Sequence, residues 1–251
     1  MIVADTHLHL YHSYNLAFAM RECVLHLSSL APEAVCAGFL SERSDCHLYR
    51  ELSDAGGALS IDDVTVKPVA GCLEVQCFNA PSLYLMPGRQ LVTAERLELL
   101  CLCVDADIPD GLPAETAVHR IHEVGGVAVL TWAVGKWLFG RAAVVQSLLD
   151  KFSASELLVG DSAMRPVFWP TPGPMRAAVN SGYRIIAGTD PLPAAGEESV
   201  MGSYASLMDA EFNSQDPAKS LRSALTDADA MLSSVGRRSG AIEFVRRMGH
   251  A

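Results

Sequence analysis

Asp5-Thr6-His7-Leu8-His9 closes the first apolar run of the chain, Ile2 to Ala4, and its reading decides the fold. Residues two apart in an extended strand project to the same side, so His7 and His9 present both imidazoles to one point. Two imidazoles so placed suit a divalent ion. A histidine that only hydrogen-bonds a loop backbone is the alternative for either ring. The pair ends a buried strand rather than interrupting it, which puts that point on the rim of a sheet.

Working outward, short apolar runs alternate with helical periodicity, the pattern of β and α units built on a parallel sheet. A helix is predicted over Asn15 to Leu30 and a buried strand over Ala34 to Leu40. The stretch from Ile61 to Leu85 breaks the pattern, with turns at Gly71 and at Asn79-Ala80-Pro81 between the β-rich pieces Val64-Thr65-Val66 and Leu73-Glu74-Val75. It reads as a hairpin-like insertion ahead of a strand over Leu83 to Met86. Further strands are predicted over Leu97 to Val104, Val127 to Thr131, Glu156 to Gly160 and Arg184 to Gly188. A helix from Pro113 to Val124 has proline at its start and Gly125-Gly126 beyond its end, the usual asymmetry. From Ser220 the chain reads as helical nearly to its end, closing in the basic turn Arg246-Arg247-Met248-Gly249-His250. The expected architecture is one α/β domain over residues 1–251, a distorted TIM-like barrel of about seven or eight strands.

Composition agrees with a packed enzyme-sized domain. The chain has 251 residues, half of them hydrophobic, and no run approaches the ~18 consecutive apolar residues of a membrane span. A charge arrives at Asp5 with no basic segment before it, so no signal peptide is expected and the reading is cytoplasmic. The net charge is -10, with lysine and arginine scattered, which argues against a nucleic-acid groove. Seven cysteines sit mostly in apolar runs and none has C-x-x-C spacing, so buried, reduced thiols are expected.

In a parallel barrel the strand C-termini share one rim, and active sites form there. The groups following each apolar run are therefore the informative ones. They are Ser41-Glu42-Arg43 with Asp45 and His47, Gly88-Arg89-Gln90, Thr131-Trp132 with Gly135-Lys136-Trp137, Gly160-Asp161, and Gly188-Thr189-Asp190. Asp190 is the carboxylate placed to complete a facial set with His7 and His9. Asp161 and Arg165 are spaced to pair in the cleft. The Pro- and Gly-rich loop from Thr189 to Glu198 is either a rim loop or, at Glu197 and Glu198, simply the start of a helix.

On these residues the chain resembles the polymerase-and-histidinol-phosphatase (PHP) superfamily of metal-dependent phosphoesterases over most of its length. Asp5-Thr6-His7-Leu8-His9 matches the opening D-x-H-x-H, and Gly88-Arg89-Gln90-Leu91 with Glu98-Leu99-Leu100-Cys101-Leu102 is similar to the family's G-I-E-V and G-H-L-L-x-L. Gly125 to Leu130 is similar to the approach to its A-H-P motif, and Ala187-Gly188-Thr189-Asp190 to its G-S-D-x-H. The resemblance implies strand-end histidines and carboxylates holding two or three metals that activate water.

Several family positions are replaced. The A-H-P histidine falls on Trp132, the last histidine of G-S-D-x-H on Leu192, the bridging glutamate on Gln90 and the G-H-L-L histidine on Glu98. The second motif, T-D-H, falls on Ser41-Glu42-Arg43. A di-metal centre needs a bridging anion, which neutral Gln90 does not supply. One divalent ion (zinc, manganese or iron) on His7, His9 and Asp190 with an open position remains the expected cofactor. Glu42 or Asp161 is the expected general base, with Arg43 or Lys136 steadying a small anionic substrate. Gln90, Trp132 and Arg165 are candidate substrate contacts. The competing expectation is a barrel that has lost hydrolysis and binds a small anion or a protein partner.

Overall fold

A computed structural model describes residues 1–55 and 58–249; His250, the end of the basic turn read above, lies outside the described residues. The chain opens with β1 (Ile2–Leu8), α1 (Leu16–Leu30), β2 (Val35–Leu40) and α2 (Leu48–Ser53). The antiparallel insertion follows as β3 (Leu59–Ile61), β4 (Val64–Val69) and β5 (Cys72–Cys77). Then come β6 (Leu83–Met86), β7 (Gly88–Val92), β8 (Glu98–Leu102), α3 (Ala114–Glu123) and β9 (Val127–Thr131). α4 (Gly140–Lys151), β10 (Leu157–Ser162), α5 (Gly173–Asn180) and β11 (Ile185–Gly188) complete the alternating part. The last stretch holds a short 3-10 helix (Glu197–Val200), β12 (Tyr204–Met208), α6 (Pro217–Thr226), β13 (Leu232–Gly236) and α7 (Ala241–Met248).

The strands form two sheets. Eight strands run in the order β13-β12-β1-β2-β6-β5-β4-β3, and five in the order β11-β10-β9-β8-β7. The expected closed barrel is not formed as one continuous ladder among the described residues. Instead the sheets meet at two seams. At one, Asp190 N donates to His7 O at 2.9 Å and Thr6 Oγ1 to Ala187 O at 2.9 Å, tying β11 to β1. At the other, Glu42 N donates to Gly88 O and Gln90 N to Glu42 O, a single parallel bridge between the end of β2 and β7. The chain passes from one sheet to the other at Pro87, between β6 and β7. Proline has no amide N–H to offer either ladder, which suits it to that junction.

Two further readings are corrected. The sheets are mixed, because β8 runs antiparallel between β7 and β9 and β12 antiparallel to β1. The tail is not one helical stretch: β13 intervenes between α6 and α7. Among the described residues no helix is long and apolar enough to cross a membrane.

Period-2 alternation sorts the apolar side chains into layers. Ile2 and Ala4 of β1 face inward with Phe39, Leu100, Val129, Leu158 and Ile186, and Leu221 and Leu225 of α6 pack into the same layer. Val3 and Leu8 face the other way, against Met20, Val24 and Leu27 of α1. α3, α4 and α5 cover the outer face of the second sheet through Val118, Ile121, Leu148 and Met175. Asn15 starts α1 by accepting a hydrogen bond from Phe18 N at 3.0 Å, a normal N-cap. All seven cysteines are free, six buried and Cys103 half-buried.

Candidate metal centre

β1 carries His7 to the β11 seam, and the approach there is too close for a side chain opposite it. A Cβ added to Gly188 would lie 2.3 Å from His7 N. Glycine therefore lets β11 press against β1 and brings the next turn, Thr189-Asp190, over the histidine pair. Asp190 takes a left-handed backbone conformation (φ 52°), one that aspartate tolerates better than most residues.

Beneath the turn lies Asp5, fully buried. Its carboxylate accepts from His7 N (3.2 Å), Thr189 N (2.9 Å) and Gly202 N (3.0 Å), and from the Thr189 hydroxyl. Burial pushes its pKa up to about 6, against the pull of those donors. The first residue of the signature thus joins β1, the Asp190 turn and the entry to β12.

The three matched residues converge. His7 Nε2 and His9 Nε2 lie 3.1 Å apart, and each is 3.6 Å from Asp190 Oδ1. A tetrahedral ion with bonds of about 2.0–2.1 Å sets its ligand atoms about 3.3–3.4 Å apart, so the donor set fits one ion. Among the described residues this is the one such grouping of histidine, cysteine or carboxylate donors. Thr131 Oγ1 sits 3.4 Å from His7 Nδ1, the ring nitrogen facing away from the cluster, and His9 stacks on Tyr11. The second Asp190 oxygen accepts from Ser162 Oγ at 3.0 Å. Burial raises the Asp190 pKa, but His7, His9 and Arg247 outweigh it and hold the carboxyl well below its usual range.

The cluster opens into a cavity of about 240 Å³ whose walls include His9, Tyr11, Arg43, Gln90, Glu98 and Lys136. Gln90 Oε1 lies 2.9 Å from His7 Nε2, so the residue at the bridging position stands beside the cluster with a neutral oxygen. Lys136 Nζ is 3.4 Å from Glu98 Oε1, and Arg43 reaches the cavity with a loose partner, Asp45, at 3.5 Å. Burial raises the Glu98 pKa, with Asp190 adding to the rise and Lys136 opposing it.

Other expected site residues lie elsewhere. Glu42 Oε1 accepts from Tyr49 N at 2.7 Å, and the residue is absent from the cavity wall; burial lifts its pKa to about 7. Asp161 and Arg165 do pair, at 2.6 and 2.7 Å, but on the opposite side of β10 from Asp190. Successive strand residues alternate sides, so Ser162 takes the inward position and Asp161 the outward one. Trp132 turns into a neighbouring cavity with Trp137 and Trp169. Glu197, read as a rim or helix-start residue, is buried and bound to Arg247 at 2.7 Å. Glu98 is the wall carboxylate that the strand-end reading assigned no role. β8 runs antiparallel, so its first residue, paired with Thr131, reaches the rim that parallel strands reach with their last.

No protein-family model and no curated protein matches this chain. Solved structures do. The crystal structure of PsfC from Pseudomonas syringae aligns with a TM-score of 0.63 at 13% identity, over 99% of this chain and 98% of that one. The lesion-specific endonuclease PfuEndoQ from Pyrococcus furiosus aligns at 0.50 and 12% identity over 92% of this chain, which spans 57% of that protein. A two-domain Bacteroides vulgatus protein described as containing a predicted PHP-like metal-dependent phosphoesterase aligns at 0.49 and 12% identity, over 98% and 69%. At these identities the property shared with PsfC and PfuEndoQ is the fold.

Proposed function

We propose that this chain is a metal-dependent hydrolase of small anionic substrates, working with one divalent ion on His7, His9 and Asp190. The observation that carries the reading is the mutual spacing of those three donor atoms, 3.1 to 3.6 Å, at the wall of a cavity that also presents cations. A bound ion there supplies Lewis acidity and lowers the pKa of water towards neutrality. The chain's own groups do the rest. Arg43 and Lys136 attract and orient the anion, and Gln90 offers its amide to a substrate oxygen or to the ion. Glu98 is the carboxylate besides Asp190 on the wall, and it takes the proton-accepting role first assigned to Glu42 or Asp161. Tyr11 closes the outer side against His9.

The substrate class follows from charge. With a net charge of -10 and only local cations at the cavity, a small anion fits better than nucleic acid, although one neighbour in fold is an endonuclease. Protein purified without chelator and analysed for metals is expected to carry about one zinc, manganese or iron per chain, and to hydrolyse a generic phosphomonoester or cyclic phosphodiester. The competing reading, a barrel that only binds, draws on the replacement of the bridging carboxylate by Gln90. A chain that retains metal yet turns over none of a broad phosphoester panel favours it; a chain that retains no metal overturns the first reading.

A further inference from the structure

On the outer side of β10 lies a second cavity, of about 490 Å³, among Asp161, Arg165, Tyr204, Ser234, Arg237 and Arg238. Three arginines meet there in a chain where acidic residues outnumber basic ones by 29 to 19. One of them is fully engaged: Arg165 holds Asp161 with two nitrogens and donates its third, Nη1, to Trp169 O at 3.2 Å. Asp161 is equally saturated, since Ser162 N at 3.1 Å and Tyr204 OH at 2.9 Å also donate to it. The pair neutralises itself and is a fixed wall.

The other two arginines are not so committed. Arg237 is exposed and meets Glu243 only at 3.7 Å. Arg238 Nη1 is buried and has no hydrogen-bond partner among the described residues. A buried guanidinium N–H without an acceptor is strongly disfavoured, and the guanidinium fork matches the geometry of phosphate and carboxylate oxygens. Ser234 lines the same space beside the Tyr204 hydroxyl.

We propose that this cavity is a binding site for a small oxyanion, such as a free phosphate, held by Arg238 and Arg237 against the Arg165–Asp161–Tyr204 wall. It is separate from the metal centre. The two share only the end of β10 and its turn, where Asp161 and Arg165 face the arginine cavity while Ser162 and Met164 face the metal cavity. The oxyanion site therefore does not depend on the hydrolase reading, and it stands or falls on its own titration.

Inorganic phosphate, titrated calorimetrically into the full chain carrying both His7→Ala and Asp190→Asn, isolates the site from the metal centre. Saturable binding at one phosphate per chain is expected, at least tenfold weaker with Arg238→Ala added and about threefold weaker with Arg237→Ala. Arg238→Lys is expected to recover part of the loss. Arg237 is exposed, so its variant keeps the test open if the Arg238 variants fold poorly. Absence of binding, or binding that both alanine variants leave unchanged, overturns the proposal and marks the site as taking an adventitious ion only.

Discussion

The rim has two halves that differ in kind. Where β1 meets β11, His7, His9 and Asp190 stand within ligand distance of one another and each is braced from behind, by Thr131, Tyr11 and Ser162. Where β7, β8 and β9 reach the rim, the corresponding positions hold Gln90, an ion-paired Glu98 and a buried Trp132. The first half gathers two imidazoles and a carboxylate at one point; the second carries a cation of its own, Lys136. Lys136 brings a cation to this side of the rim, and Trp132 fills buried volume beside it.

The most severe way to break the contrast is to force the halves apart at the seam. Gly188→Ala puts a methyl group 2.3 Å from His7 N, and backbone must move to admit it. The expected result is a loss of about 3 kcal/mol or more, roughly 6–12 °C in Tm, together with loss of retained metal. Calorimetry and metal analysis on the same sample check both. A fall in Tm with full metal retention would show that the seam does not set the ligand geometry.

Removing a ligand tests the first half alone. His7→Ala is expected to weaken zinc affinity at least 100-fold, read by chelator competition, while Tm in the metal-free state shifts by only a few degrees. Gln90→Glu tests the border between the halves. A carboxylate placed 2.9 Å from His7 Nε2 is expected to tighten divalent-ion binding about tenfold. An unchanged affinity would mean that the second half is closed to metal by its shape and not by its charge.

A different kind of effect, on pH dependence, concerns the opposite seam, at Glu42. Its carboxyl is raised to about 7 in the folded chain from an ordinary 4.5, so the folded state holds the proton more tightly. Stability from this group is present in full below about pH 4.5 and is lost as pH rises through about 7. Between pH 5 and 8 the native Tm should therefore fall on the order of 4–8 °C further than that of Glu42→Gln, a difference of about 2 kcal/mol. Parallel pH profiles of the two variants would contradict this placement of the buried carboxyl.

Much of this was written in local pattern. Leu83–Met86 and Val127–Thr131 form strands over the residues read from their apolar runs, and Asn15 caps the helix it precedes. What escaped the reading depends on direction and on distant partners. A rule that looks for chemistry after each apolar run passes over Glu98, because it precedes one on a reversed strand. The same rule chose Asp161 and passed over Ser162, although alternation sends Ser162 and not Asp161 toward Asp190. Closure into a barrel depends on two edges meeting, and at Pro87 the chain changes sheets instead of continuing a ladder. α7 inverts the usual pattern altogether: Ile242 and Val245 are exposed and Arg247 is buried, held by Glu197 and by the carbonyl of Asp190 at 2.9 Å.

That last bond sets an order in time. During synthesis the two histidines emerge about 180 residues ahead of the aspartate that completes their site, and Arg247 follows later still. At translation rates of roughly 5–20 residues per second, the interval before Asp190 is on the order of 10–40 seconds. Throughout it the proposed set of His7, His9 and Asp190 lacks its carboxylate. A site of the proposed kind is therefore completed late in synthesis, and the Arg247 bond to the Asp190 carbonyl is the last of its contacts to become available.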